Sequence, residues 1–216
     1  MEMIAQTYQS RDFWRQENLT YTKPHFRLEK SARLVNSLAA GKACDLLDVG
    51  CGPAALMQLL QPNIRYHGID IAIHRPLSNL VETNFVEHPI EFRDKKFDFV
   101  VAQGVFEYVG AVQEQKMAEI DILLKSGGIF VVSYVNFNHR NRNIYWLYNN
   151  VQFFGAFYRS VSQTFKILRY FPTSHRWHHD EPRDRIMWAL QKHVNVNIPV
   201  LSRMFGVEYF FVCTKK

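Results

Sequence analysis

Continuous apolar runs alternate with apolar stripes of helical period along this chain, and together they predict an α/β fold. Leu46, Leu47 and Val49 lie in the stretch Cys44 to Val49, which has the pattern of a strand buried on both faces. Phe97 to Ala102 is an almost unbroken apolar run and predicts a second central strand. Ile129 to Tyr134 and Val207 to Cys213 predict two further strands, and shorter ones are expected at Arg65 to Asp70 and Asn84 to Val86. Leu28, Ala32, Val35 and Leu38 fall on one face of a helix that Pro24 opens and Gly41 stops. Met117, Ile120 and Leu124 mark a helix over Gln113 to Leu124, stopped by Ser126-Gly127-Gly128. Helices are also expected over residues 2–17, Pro53 to Leu60, Ile71 to Leu80 (interrupted by Pro76) and Pro182 to His193.

The chemistry gathers where the first strand ends. Gly50 and Gly52 follow Val49 directly, and Pro53 suits a first helical turn because its missing N–H costs nothing there. Strand, glycine turn, helix is an arrangement that aims backbone N–H groups at a polar ligand, and glycine lets the ligand approach the backbone. Asp70 ends the next strand, where a carboxylate would accept hydrogen bonds from two ribose hydroxyls. Gln103 ends the Phe97–Ala102 run. Ligands of open α/β sheets bind at the carboxyl ends of strands beside the switch in strand order, so Gly50, Asp70 and Gln103 are expected around one crevice.

In this order, Asp-Leu-Leu-Asp-Val-Gly-Cys-Gly-Pro-Ala-Ala at 45–55, the strand ending at Asp70, Phe97–Gln103, Val105–Val109 and Leu123–Ser133 resemble the class I S-adenosylmethionine-dependent methyltransferases, in particular the type 11 small-molecule group. The resemblance covers residues 26–135 and resumes at 207–213. It implies a Rossmann-like, doubly wound, seven-stranded, mostly parallel sheet with an antiparallel last strand and a helical substrate cap. It implies one domain, with N-terminal helices at 1–43, a cofactor-binding core at 44–135, a substrate-binding insertion at 136–196 and the final strands at 197–216. It also implies S-adenosyl-L-methionine as cofactor, with backbone N–H groups around Gly50, Cys51 and Gly52 holding the methionine part. Asp70 would take the ribose, Ile71 and Gln103 would flank the adenosine, and Asp48 would orient the turn. The family usually places an acidic residue after strand three to bind the adenine amino group; this chain departs from that pattern and offers Glu87, then His88, or a backbone contact alone, with Glu87 the first candidate. A leading helix often closes over the cofactor in the family, which makes Tyr8, Trp14 and Tyr21 possible lining residues beside their plainer role in packing.

Composition narrows the setting. The chain has 216 residues, 47% hydrophobic and 21% charged, and no apolar run approaches the ~20 residues that span a membrane. The first residues have neither a basic nor an apolar signal region, and the three cysteines, Cys44, Cys51 and Cys213, have no metal spacing, so a cytoplasmic protein with reduced thiols is expected. Residues 1–135 carry 14 Lys/Arg against 16 Asp/Glu, a net of −2, whereas residues 136–216 carry 12 against 4, a net of +8. The basic excess is either a solvated surface or an attraction for an anionic acceptor or membrane surface. Nucleic acid fits less well, because there is no Lys/Arg-rich run and no binding module.

The acceptor side lies after the fifth strand. Residues 136–142, with Asn136, His139 and Arg140, follow the carboxyl end of that strand and are expected to face the crevice. Tyr134 in the strand and Trp146 in the aromatic-rich stretch 145–158 are further acceptor-binding candidates, the stretch suiting a flat, sugar-like or lipid acceptor as well as a core. His175, His178, His179 and Asp180 match no standard zinc spacing, and no metal is expected; Asp180 with Pro182 reads as a helix N-cap. A hydroxyl acceptor benefits from a base titrating near neutrality, which makes His139 the first candidate and His175 and His178 the next, each set against an ordinary hydrogen-bonded histidine. The expectation is O-methylation of a small or saccharide-like hydroxyl acceptor. The alternatives are N- or C-methylation of another metabolite or of a lipid or quinone-like acceptor, a non-catalytic cofactor-binding partner subunit, and a nicotinamide oxidoreductase sharing the Gly50/Gly52/Ala55 turn.

Overall fold

A computed structural model of the chain describes residues 11–20, 26–90, 92, 95–135, 157–173 and 208–216. Seven strands form one sheet: β1 (Cys44–Val49), β2 (Ile64–Asp70), β3 (Leu80–Glu82), β4 (Phe97–Gln103), β5 (Leu124–Val135), β6 (Phe165–Thr173) and β7 (Glu208–Lys215). Their order is β3-β2-β1-β4-β5-β7-β6. β1 pairs in parallel with β2 on one side and β4 on the other, which is the switch in strand order. β7 lies antiparallel between β5 and β6. The expected seven-stranded, mostly parallel sheet with an antiparallel last strand is therefore present.

β1 is buried at all six positions because both faces are covered. Leu47 and Val49 join Val100, Ala102 and Phe130 on one face. Cys44 and Leu46 join Ala32 and Val35 of the Phe26–Ala39 helix on the other. That helix ends at Ala40 and Gly41, both at positive φ (49° and 78°), which breaks the helical ladder near the expected glycine. Asn36 then ties it to the next segment, its Nδ2 donating to the Leu59 carbonyl and its Oδ1 accepting from Gln61 N.

Several expected elements are corrected. The helix over Pro53–Leu60 is only a 3₁₀ stretch, Ala55–Leu59, because Ala54 stands at φ 57° in the left-handed region. Strand three is Leu80–Glu82 rather than Asn84–Val86. Asn84 instead closes a turn: its side chain accepts from Val86 N, and its carbonyl accepts from Glu87 N and His88 N. No helix forms over Ile71–Leu80, because the Asp70 and Glu82 carboxylates take the N–H groups of Ala72 and Ile73. The Gln113–Leu123 helix passes at once into β5, and the glycines at 127 and 128 fall where the β4–β5 register slips between Phe97 and Phe99. β6 arises at Phe165–Thr173, inside the stretch 136–196 expected as an insertion, so the last two strands do not both come from 197–216. The expected helix at 182–193 lies outside the described residues.

Residues 157–164 are helical and carry Phe157 into the core. Its ring lies 4.5 Å from Tyr134, 5.4 Å from Phe211 and 5.8 Å from Phe106. Tyr134, expected to face the acceptor, is wholly buried against this helix and is a core residue. Among the described residues, no helix is long and apolar enough to cross a membrane.

Candidate cofactor site

Three strand ends meet at the switch point. Gly50 follows β1 at φ 71°, and a Cβ there would stand 2.3 Å from Val105 Cγ2, just after β4. The backbone after β1 and the side chain after β4 thus touch, and only glycine permits it. Gly52 N donates to Asp70 Oδ2 at 2.7 Å, and Ala72 N donates to Asp70 Oδ1 at 2.9 Å. The buried Asp70 carboxylate therefore clamps the glycine turn to the loop after β2. A carboxylate oxygen accepts more than one hydrogen bond, so this geometry suits the addition of two ribose hydroxyls.

One expected role is corrected. The N–H groups around the glycines do not point outward: Gly50 N and Cys51 N both donate to the Ile69 carbonyl, at 2.8 and 3.1 Å, and Gly52 N goes to Asp70. The turn offers close backbone approach rather than a row of donors. Cys51 is buried, and burial pushes its thiol well up, so it packs rather than reacts.

Beneath the turn, Asp48 is buried and accepts a 2.7 Å hydrogen bond from Tyr66 OH. Burial pushes its carboxyl up to about 7; the Tyr66 hydroxyl opposes that shift and the Asp70 charge adds to it. Tyr66 shares a face of β2 with Gly68 and Asp70, and a Cβ on Gly68 would meet Cys51 Sγ at 2.7 Å. The absent side chain at 68, which pairs in register with Asp48, is what admits Cys51 to this cluster.

Gln103 closes β4. Its Nε2 donates weakly to the Ala102 and Val131 carbonyls at 3.4 and 3.5 Å, and its buried Oε1 has no hydrogen-bond partner among the described residues. A buried acceptor at the carboxyl end of β4 with no partner among the described residues fits a ligand donor. Gly104 N donates to Ser133 Oγ at 3.0 Å, so β5 fixes the turn that follows Gln103.

The Arg11–Thr20 helix lies near the same end of the sheet. Arg11 and Arg15 pair with Glu82 at the end of β3, and the Trp14 ring meets Tyr108 edge-on at 5.2 Å. A cleft of about 560 Å³ lies between this helix and the loop after β2, lined by Ile73, His74 and Glu82 among others. Ile71 is half-buried in that loop. Glu87 is exposed, five residues beyond the end of β3 rather than directly after it, so the reason for choosing it falls with the strand. Asn84 stands nearer that end. His139, His175, His178, Asn136, Arg140 and Trp146 lie outside the described residues, as do Tyr8 and Tyr21.

Sequence reasoning missed Tyr66, Glu82, Val105 and Ser133. Tyr66 was within reach, because period-two alternation back from Asp70 puts it on the carboxylate's face. The other three depend on strand register, which the residues alone do not disclose.

A family model described as a methyltransferase domain matches residues 23–192. No curated protein matches the chain. Among solved structures, it is similar to the methyltransferase in complex with a Haloferax volcanii methyltransferase activator, with 16% identity over 94% of this chain and 95% of that one, TM-score 0.58. It is similar to the TehB-like S-adenosylmethionine-dependent methyltransferase of Corynebacterium glutamicum, with 18% identity over 94% and 95%, TM-score 0.56. It is also similar to the N-methyltransferase NodS of Bradyrhizobium japonicum, solved with S-adenosyl-L-homocysteine, with 13% identity over 89% and 88%, TM-score 0.54. At these identities the likeness establishes the fold, and the family match adds the class: the chain belongs to the S-adenosylmethionine-dependent methyltransferases of class I.

Proposed function

We propose that this methyltransferase transfers a methyl group to the hydroxyl of a small or saccharide-like acceptor, with a histidine as general base. S-adenosylmethionine supplies an electrophilic methyl on a sulfonium, and its transfer is an in-line displacement in which positioning contributes much of the acceleration. Gly50 and Gly52 permit backbone approach, Asp70 accepts from the ribose hydroxyls, Ile71 flanks the adenosine, and Gln103 Oε1 receives a donor of the cofactor. The observation that carries the cofactor half is the Asp70 clamp on Gly52 and Ala72 at the end of β2, with Gln103 Oε1, which has no partner among the described residues, at the same end of β4.

The acceptor half rests on the sequence after β5. The net +8 of residues 136–216 favours an acceptor bearing negative charge, and His139 follows β5 by four residues, close enough in the chain to meet a hydroxyl at the crevice. Arg140, Asn136 and Trp146 would hold that acceptor, with His175 and His178 as alternative bases. The fold leaves the accepting atom open: a similar fold, at 13% identity and TM-score 0.51, belongs to a geranyl diphosphate C-methyltransferase of Streptomyces coelicolor.

The test is methyl-labelled S-adenosylmethionine incubated with the purified protein and a fractionated cell extract. Label in a water-soluble saccharide fraction, lost in His139→Ala at unchanged cofactor affinity, supports the proposal. Label in a solvent-extractable fraction transfers it to a lipid or quinone-like acceptor. Cofactor binding without label in any fraction favours the partner-subunit reading.

A further inference from the structure

The glycine turn is underlain by two carboxylates, and ribose binding accounts for only one of them. Asp70 reaches the turn directly through Gly52 N. Asp48 lies two residues before Gly50 on β1, within about 7 Å of the turn at the rise of a strand, and is 4% exposed. The groups that face it are Tyr66 OH and Asp70 from β2 and Cys51 from the turn. β4 places Val101 opposite it in register, and the Phe26–Ala39 helix covers the same face with Ala32 and Val35. The one lysine of that helix, Lys30, sits over the Phe210 ring at 4.3 Å, and its exposed Arg33 donates from Nε to the Glu29 carbonyl. Among the described residues, no cationic side chain is paired with Asp48.

A buried carboxyl with a hydroxyl donor, a carboxylate neighbour and no cation is poised between its two protonation states. The methyl donor and its demethylated product share adenine, ribose and amino-acid groups. They differ at the sulfur, which is a cation in the donor and neutral in the product. A cation brought to this turn favours ionised Asp48, and its removal favours the protonated form.

We propose that Asp48 discriminates between the methyl donor and the demethylated product, being ionised while the sulfonium is bound and taking up a proton from solvent once the methyl has left. The inference rests on the methyltransferase reading of the site. The transfer itself leaves the acceptor proton to be removed, so one proton is released there while Asp48 binds one. Donor binding favours the ionised carboxyl and the product complex the protonated one, so raising the pH favours donor over product. Asp48 acts here through charge and makes no contact with the reacting atoms, so it is a positioning and discriminating residue.

The experiment measures dissociation constants of S-adenosylmethionine and S-adenosylhomocysteine between pH 6 and 8.5. For the wild-type protein, the ratio of product to donor constant should rise about 3- to 10-fold with pH, corresponding to a carboxyl shift of ~0.5–1 unit between the two complexes. Asp48→Asn should remove this rise, and it also separates it from titration of the ligands' own amino groups. Tyr66→Phe, which deletes the donor that favours the ionised form, should move the rise to higher pH. Calorimetry of the wild-type protein in two buffers of different ionisation enthalpy should show more protons taken up with the product than with the donor, which keeps the test decisive if Asp48→Asn does not fold. Binding of both ligands with a flat ratio, or an equal rise in Asp48→Asn, would overturn the proposal and leave the methyltransferase reading standing. Failure of both ligands to bind at any pH would remove both.

Discussion

The N–H of Gly52 donates to Asp70 Oδ2 at 2.7 Å, so the glycine turn after β1 and the carboxylate that ends β2 are built as one unit. Ala72 N completes the clamp from the far side. Removing the carboxylate therefore does two things at once. Asp70→Ala leaves the Gly52 donor buried without its acceptor, which costs about 1–3 kcal/mol, and removes the acceptor for the ribose. Its Tm should fall, and its cofactor dissociation constant should rise at least about 10-fold, corresponding to the loss of a charge-assisted hydrogen bond. Asp70→Asn retains one acceptor oxygen and should recover part of the stability and less of the affinity. Thermal unfolding and titration of the same samples separate the two effects.

Gly50 and Val105 constrain one another across the switch point. A Cβ at 50 would stand 2.3 Å from Val105 Cγ2, and the residue's φ of 71° disfavours any side chain. Gly50→Ala should therefore destabilise the protein by about 1–3 kcal/mol and distort the crevice. Adding Val105→Ala relieves the clash but not the backbone strain, so the double variant should regain part of the loss. A double-mutant cycle on unfolding free energy checks this. Strict additivity would mean that the two residues do not meet.

At the opposite ends of the strands, a charged group marks the amino side of the sheet. Asp45 accepts from Arg65 Nε and Nη2 at 2.9 and 2.7 Å and lies 3.3 Å from Lys95 Nζ. The Arg65 hydrogen bonds hold its carboxyl below the usual carboxylate range against the opposing effect of burial. A carboxyl that titrates lower in the folded chain than in the unfolded one contributes stability at neutral pH. That contribution is present above the unfolded value of about 4 and is lost as pH falls through the depressed folded value. Asp45→Asn should accordingly flatten the acid limb of the stability profile below about pH 4 and lower stability at pH 7. Denaturant unfolding across that range is the measurement, and parallel profiles for the two proteins would contradict it.

What was legible in the residues follows from how each strand is buried. β1 and β4 are covered on both faces, so their apolar runs announce them, and with them the switch point and the placing of Gly50, Asp70 and Gln103. β3 has three residues at an edge and is buried at none of them, so Leu80–Glu82 leaves no pattern, whereas Phe85 and Val86 in the following turn imitate one. β6 also forms an edge, where Lys166 and Leu168 are exposed beside the buried Phe165, and it passed for part of an insertion. The site was readable where a residue type does the work, as with Asp70. It was hidden where register does, as with Ser133 bonding Gly104 N or Tyr66 reaching Asp48.

Gln103 separates binding from stability. Its buried Oε1 lacks a partner among the described residues, and its Nε2 bonds are long, so there the side chain bears a desolvation cost with little return. Gln103→Leu removes that cost at similar volume and should leave the Tm unchanged or raise it. If Oε1 receives a donor of the cofactor, the same substitution should weaken cofactor binding about 5- to 20-fold, the worth of a hydrogen bond of ~1–2 kcal/mol in a buried site. A gain in stability together with a loss of affinity is the expected outcome, because a group held ready for a ligand burdens the empty site. Loss of both would make Gln103 a structural residue, and loss of neither would place the cofactor out of its reach.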